Sequence, residues 1–519
     1  MSSTVDTRWD ALLSTPRARR VAEWAGLLGV TLLAAVLRLW NLGQPHSLVF
    51  DETYYVKDAY TLLNLGYEGS WPDDPNPAFE AGNVDSYLDA GSFIVHPPLG
   101  KWLIALGLAV FGAESSVGWR VSVALTGILA VALLWVVARL LLRSALLATV
   151  AGGLFAIDGQ AIVLSRVALL DNFLMFFGLL GALFVLLDRR PSRERLRWWV
   201  ARRTAADRPI DWGPALWARP WLLAAGVAFG AASAVKWSGL YLLAFFAIYT
   251  LAVDALARRR AGVEFWASGT LLRQAPASFV LMVPIALAVH IASWAGWFAT
   301  AGGYYRRWAE APGNAWEGAL AWVPLDWQSW WHYQTSAYNF HVGLTSDHGW
   351  QSPAWQWLPM LRPTALYRLS TANGEGGCDA AACESFITTL PNPIIWWLAV
   401  ASLAYLVVRL IRHRDWRAGF VLTGVAAGFV PWLLYPNRTT FEFYSIVFEP
   451  FLILGLVLTL GVILGRPTDA PWRRKQGVGI VVVVLVMCVL VSAFFYPLAT
   501  GMQTPELFTR SHYWLPGWR

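Results

Sequence analysis

Charge is scarce in this chain. Asp, Glu, Lys and Arg make up 14% of its 519 residues, against about 25% in soluble domains. That shortage excludes an ordinary soluble enzyme, and the 57% hydrophobic content excludes a disordered chain. Cysteine is scarce too, and three residues cannot form a disulfide framework. Absent altogether are a P-loop, a dinucleotide-binding glycine fingerprint, a His-Glu-x-x-His motif and a Cys/His metal cluster. Nucleotide-driven chemistry is therefore not expected. No internal repeat or low-complexity tract stands out. What abounds is apolar and aromatic surface, with 32 Trp, 26 Phe and 17 Tyr.

A membrane helix takes about 20 mostly apolar residues, because the hydrocarbon core is ~30 Å thick and each residue rises ~1.5 Å. Runs of this kind lie at 21–40, 118–138, 145–161, 166–187, 219–236, 238–257, 275–299, 392–411, 418–435, 441–465 and 477–497. They predict an all-α integral membrane protein of about 11 transmembrane helices, one polytopic domain over 1–519. A further run, 99–112, is too short to span and is read as a helix lying at the outer interface. Most of the 40 Lys and Arg then fall in inside connectors such as 188–218, as the positive-inside rule requires. The N-terminus is expected to be cytoplasmic and the C-terminus external. The first run follows Arg17, Arg19 and Arg20 and has no small-residue cleavage site, so no cleavable signal peptide is expected.

Two long segments face outward in this topology, 41–117 and 300–391, together with the tail 498–519. The tryptophans from Trp308 to Trp357 predict that the second loop lies on the bilayer surface. Cys378 and Cys383, in GCDAAACES, are a disulfide candidate in an oxidising outer compartment. The alternative is two free thiols.

Charges next to apolar runs are where membrane proteins keep their chemistry. Asp51 and Glu52 follow Leu48-Val49-Phe50 and open an amphipathic stretch, with Tyr54, Tyr55, Ala59, Leu62 and Leu63 expected on one helical face. Two readings fit: a helix cap suited to the macrodipole, or a general base at the membrane surface. His96 and Lys101 sit in VHPPLGKW beside the short outer helix. Arg120 opens a span. Arg166 and Asp171 lie five apart near a span end and need partners: each other, Arg120 or a ligand. Lys236 stands at the outer end of a span, and Arg438 in a very short outer turn. Arginine is the natural partner of phosphate, because its planar fork donates two bonds at once. An acidic pair among isolated cations suits a phosphate-bearing lipid substrate and a nucleophile that must be deprotonated.

Taken in order, FDETYYVKDAY, HPPLGKWL, SRVALLDNFLMFF, KWSGLY, NPIIWWLAV and NRTTFEFYSIVFEPFLILGL resemble the protein O-mannosyltransferases of the actinobacterial type. The resemblance covers most of the chain. It implies the GT-C architecture and an inverting, multi-pass glycosyltransferase of the plasma membrane with its active site on the external face. Such an enzyme moves mannose from polyprenyl-phosphate-mannose to Ser or Thr of exported proteins, which it could meet at the export translocon. The family's acidic pair maps onto Asp51 and Glu52. HVGLTSDHGWQSPAWQWLPMLRP, with His341, His348, Trp355 and Trp357, resembles the bacterial form of the large outer loop. At about 90 residues, 300–391 is too short for the β-trefoil domain that fungal and animal members insert there.

The implied mechanism has Asp51 take the acceptor proton while Glu52 orients the acceptor or the surroundings of Asp51. Arg438, then Arg120 and Lys236, would neutralise the departing phosphate. His96, Lys101, Arg166, Asp171, His341 and His348 are supporting candidates. A divalent metal could assist departure, although no all-protein site for one is visible. The other implied partners are membrane lipid and no nucleic acid. Two further readings stay open: a lipid-linked sugar transferase acting on a lipid or cell-wall glycan, and a transporter. Against the transporter stand the lack of repeated halves and the placing of charges at the outer span ends.

Overall fold

The computed structural model describes residues 14–519. The expectation about the N-terminus falls partly on residues 1–13, outside the described residues. The first half of the fold is built from α1 (Pro16–Leu39), α2 (Glu52–Leu65), α3 (Leu99–Phe111), α4 (Ser116–Leu142), α5 (Ala145–Ile157), α6 (Asp171–Ala205) and α7 (Pro220–Val235). The second half holds α8 (Gly239–Arg260), α9 (Trp266–Ala292), α10 (Leu325–Gly343), α11 (Pro393–His413), α12 (Trp416–Leu434), α13 (Glu449–Leu464) and α14 (Pro471–Thr500).

Among the described residues, eight helices are long and apolar enough to cross a membrane: α1, α4, α6, α8, α9, α11, α12 and α14. The remaining expected spans correspond to the shorter apolar helices α5, α7 and α13. Polar residues explain why two of these are cut short. The expected 145–161 breaks at Asp158, whose carboxylate accepts from Gln160 N and Ala161 N and starts the separate turn Gly159–Val163. The expected 441–465 begins as a 3-10 segment, Glu442–Val447, because the buried Glu442 accepts from Ser445 and Thr389. The expected 166–187 starts only at Asp171, after an irregular stretch that buries Arg166.

The all-α expectation also needs correction. Strand β1 (Gly69–Ser70) pairs with β2 (Leu88–Gly91) in the 41–117 segment. In the 300–391 segment, β3 (Ala365–Ala372) and β4 (Ala382–Thr388) form an antiparallel hairpin, closed by a disulfide between Cys378 and Cys383. The tail adds β5 (Gln503–Pro505) to β4. That pairing puts the tail and the 300–391 segment on one side of the helices. The Tyr333 hydroxyl donates to Ile94 O at 2.7 Å and accepts from Ile94 N at 2.9 Å, which brings the 41–117 segment to the same side. The 188–218 stretch lies towards the other end of α6.

Helix α2 presents a different face from the one expected. Tyr55, Val56, Ala59 and Leu62 are buried, while Tyr54 and Leu63 are 61% and 43% exposed. Neighbouring residues on a helix do not share a face, and Tyr55 is the one turned inward.

Candidate active site

The site is built on the start of α2. Phe50, just before it, holds a left-handed backbone with φ of 52°, which costs a bulky residue about 1–2 kcal/mol. Edge-on contacts with His348, Phe441 and Phe443 keep it there. The turn that results sends Glu52 into the interior and leaves Asp51 half-buried.

Glu52 is a fixed point of the fold. One of its carboxylate oxygens accepts from Arg120 Nε and Ala168 N, and the other from Arg120 Nη2 and Val49 N, all at 2.8 Å. Arg120 spends its remaining donors on the carbonyls of Pro45 and Ser47, at 2.8 and 2.9 Å. The pair is fully buried, so its Coulomb attraction is tolerable only because every lone pair and proton is met. Arg120 thus ties the 42–47 loop and α2 to α4 and does not line the cavity described below.

Asp51 makes no cap hydrogen bond to α2. Its carboxylate accepts from Tyr55 Oη at 3.4 Å. Burial pushes its carboxyl up to about 6; Lys236 draws it back and Asp171 adds to the rise. Lys236 and Asp171 form a buried pair at 2.7 Å, with the Lys236 ammonium 5.2 Å from the centre of the Tyr444 ring. A carboxylate raised in this way is a stronger base than an ordinary aspartate and still ionised at neutral pH.

Lys236 and Asp171 form one wall of a cavity of about 280 Å³, near the lower end of the ~300–1,000 Å³ usual for small-molecule sites. His96, Tyr241, Tyr435 and Arg438 supply more polar lining, and Leu240 and Val342 apolar lining. Leu240 is 46% and Val342 44% exposed, so this wall of the cavity turns apolar surface outward.

Arg438 is aimed into this space by a histidine far away in sequence. Its Nε donates to His341 O at 2.7 Å, its Nη2 meets His341 Nδ1 at 3.3 Å, and the guanidinium lies over Trp432 at 5.2 Å. Nη1 is buried and donates to nothing. The opposite ring nitrogen of His341 lies 2.9 Å from Val95 O. A carbonyl can only accept, so Nε2 carries the proton and Nδ1 receives Arg438. Burial, reinforced by Arg438 and Lys236, pushes His341 down to about 4. His96 stacks on it at 5.0 Å between ring centres. Burial and then Lys236, His341, Lys101 and Arg438 hold His96 well below the ordinary histidine range. Two neutral imidazoles beside an unspent arginine donor form a pocket for an anion.

The other candidates have different places. Lys101 pairs with Glu68 and donates to His96 O at 3.1 Å, which props His96 from behind. Arg166 is spent on the carbonyls of Arg38, Trp40 and Asn41 and reaches neither Asp171 nor the cavity. His348 is exposed, with its ring against Phe50 and Phe441 and its Nδ1 accepting from Trp350 N. The tyrosines Tyr241, Tyr435 and Tyr444 were not expected at the site, although each lies close in sequence to one of its cations. Among the described residues, no group of three His, Cys, Asp or Glu side chains could hold a metal ion.

Two family models match the chain. Dolichyl-phosphate-mannose-protein mannosyltransferase matches residues 81–203, and the C-terminal four-span region of protein-O-mannosyltransferase matches 326–518. The chain is 37% identical to the polyprenol-phosphate-mannose–protein mannosyltransferase of Mycobacterium tuberculosis, over 96% of this chain and 92% of that one. Against the protein of that name from Corynebacterium glutamicum the identity is 34%, over 96% and 93%. The solved Saccharomyces cerevisiae protein O-mannosyltransferase Pmt1-Pmt2 complex bound to the sugar donor shares the GT-C fold. Its TM-score is 0.71 at 15% identity, covering 96% of this chain and 92% of that one. With a mostly helical fold, an acidic residue beside a cation-lined cavity and relatives of nearly equal length, the chain belongs to the protein O-mannosyltransferase family.

Proposed function

We propose that this protein transfers mannose from polyprenyl-phosphate-mannose to Ser or Thr hydroxyls of exported proteins, with Asp51 as general base. The acceptor oxygen attacks the anomeric carbon from the side opposite the phosphate. The new glycosidic bond forms as the carbon–phosphate-oxygen bond breaks, and configuration inverts. Asp51 takes the hydroxyl proton, and polyprenyl phosphate leaves with the bonding electrons. Its charge meets the Arg438 guanidinium and the Lys236 ammonium, electrostatic help that is present before the reaction begins. Glu52 and Arg120 hold Asp51 in place without touching substrate. The observation that carries this assignment is the buried, unpartnered Nη1 of Arg438 in a cavity whose other wall, Lys236, acts electrostatically on Asp51.

The test is purified full-length protein given polyprenyl-phosphate-mannose and a Ser/Thr-rich peptide. Inverted mannose on the peptide is the expected product. Mannose appearing only on lipid or glycan acceptors would identify a lipid-linked sugar transferase instead.

The base assignment also fixes a pH response. Asp51 must be deprotonated to accept a proton, so transfer falls as pH drops through about 6. Well below that value the fall approaches about tenfold per pH unit. A rate that stays flat from pH 7 to pH 5 at saturating donor would remove Asp51 from the proton-transfer step.

In this assignment the cavity end faces the outside of the plasma membrane, where exported chains emerge from the translocon. The arginines of 188–218, at the opposite end of α6, support that orientation. Thiols introduced at Gly313 and Ala201 should then react differently with an impermeant reagent added to cells. Gly313 should label and Ala201 should not. Native background is low, because Cys488 is buried and the other two cysteines are bonded to each other. The reverse pattern would overturn the orientation.

A further inference from the structure

Far from the catalytic cavity, α6 carries Arg189, about 27 Å along the helix axis from Asp171 at ~1.5 Å per residue. That distance is close to the ~30 Å thickness of the hydrocarbon core, so Arg189 sits at the opposite membrane boundary. A cavity of about 650 Å³ opens there. Its lining includes Arg139, Arg143, Arg189, Arg190, Arg193 and Arg197, with Glu194 as the single carboxylate. Glu23 holds Arg139 at 2.6 Å, and Glu194 holds Arg190 at 2.8 Å. Among the described residues, Arg143, Arg189, Arg193 and Arg197 have no ion-pair partner.

Two of these arginines carry a stronger signal. Nε and Nη2 of Arg189 and Nε of Arg193 are buried and donate to nothing. A surface arginine has no reason to hide its donors from both water and protein, because buried polar groups are normally paired. The Arg189 guanidinium lies over Trp416, 3.4 Å from the ring centre, which restrains its position in the cavity. Apolar walls complete the cavity: Leu140 and Trp221 line it and are 40% and 37% exposed. A neighbouring cavity of about 310 Å³ shares Arg193 and Arg197 and adds Arg260.

We propose that this cavity is a binding site for the phosphate headgroup of an anionic phospholipid, separate from the donor site. Arg189 and Arg193 would donate to the phosphate oxygens with their unspent nitrogens. Leu140 and Trp221 would meet the first carbons of the acyl chains. Arginine forks suit phosphate, and cation clusters at a membrane boundary favour anionic lipid. The apolar exposed wall is what favours a lipid over a free anion.

The experiment uses full-length protein, delipidated in a neutral detergent, with its unfolding temperature followed during titration. The added probes are phosphatidylglycerol, phosphatidylcholine and inorganic phosphate. Phosphatidylglycerol should stabilise the protein at concentrations about tenfold below those needed for phosphatidylcholine, and inorganic phosphate should not reproduce the effect. Arg189→Gln combined with Arg193→Gln should abolish the preference. Arg197→Gln changes an exposed side chain, leaves the buried packing intact and should weaken the preference. Arg202→Gln, exposed and outside the cavity, should not alter it. Equal response to the two lipids, or an undiminished preference in the Arg189/Arg193 and Arg197 variants, would overturn the proposal. Stabilisation by inorganic phosphate equal to that by phosphatidylglycerol would overturn its lipid half and leave a plain anion site.

Discussion

Asp51→Asn is expected to lower mannosyl transfer by roughly 10²-fold or more, the usual worth of a positioned general base, while donor binding and folding stay near the parent level. The size and polarity of the side chain are kept, and the hydrogen bond from Tyr55 has an oxygen to meet. Nothing else in the fold leans on this carboxylate, since it caps no helix. Glu52→Gln should behave in the opposite way. It replaces one partner of a fully buried ion pair and leaves Arg120 uncompensated, at a cost of about 3–5 kcal/mol. Lower yield of folded protein and loss of all activities together are the expected outcome. Transfer rate, donor affinity and unfolding temperature measured on both variants separate the two roles. Near-parent transfer by Asp51→Asn, or collapse of donor binding alone, would take the base away from Asp51.

Arg438→Ala should strike the other half of the reaction. A hydrogen bond to a charged group is worth roughly 1.5–3 kcal/mol, which is about 10- to 100-fold at subsaturating donor. The turn that carries Arg438 is anchored separately by Thr439, whose backbone N donates to Leu344 O at 3.0 Å, and by Thr440, whose hydroxyl donates to Ser352 O at 2.8 Å. Insertion and folding should therefore survive. Arg438→Lys should restore only part of the activity, because an ammonium cannot keep both the His341 carbonyl and a phosphate oxygen in one plane. Lipid-donor affinity measured directly is the readout. An Ala variant that binds donor as well as the parent would reduce Arg438 to a strut for α10.

Much of this arrangement was legible in the sequence, and the illegible parts have identifiable causes. Hydropathy locates the apolar helices because each is a local run. It misjudges their ends at Asp158, Asp171 and Glu442, where partners distant in sequence decide whether a carboxylate can sit inside. The acidic pair was visible, but two adjacent carboxylates look alike until Arg120, on another helix, selects Glu52. For the same reason Arg120 was expected at the donor phosphate and is found spent on Glu52 and the 42–47 loop. Arg438 was legible as a lone cation in a short turn; His341, which orients it, is 97 residues earlier. The hairpin of β3 and β4 is hidden from a short-turn pattern, because the loop between Ala372 and Ala382 is long and is closed by the Cys378–Cys383 disulfide.

Asp51 and Arg438 rest partly on separate supports and partly on a shared one. Asp51 takes its coordinates from Glu52, which is bolted to α4 and to the turn before α6. Arg438 takes its coordinates from His341 on α10, inside the 300–391 segment. The same 300–391 segment also touches the turn before α2, through His348 against Phe50, so a displacement of that segment would reach the guanidinium and the carboxylate together. Any substitution that repacks His348 or His341 is therefore registered at both groups, and their separation is a joint property of the helices and of the 300–391 segment.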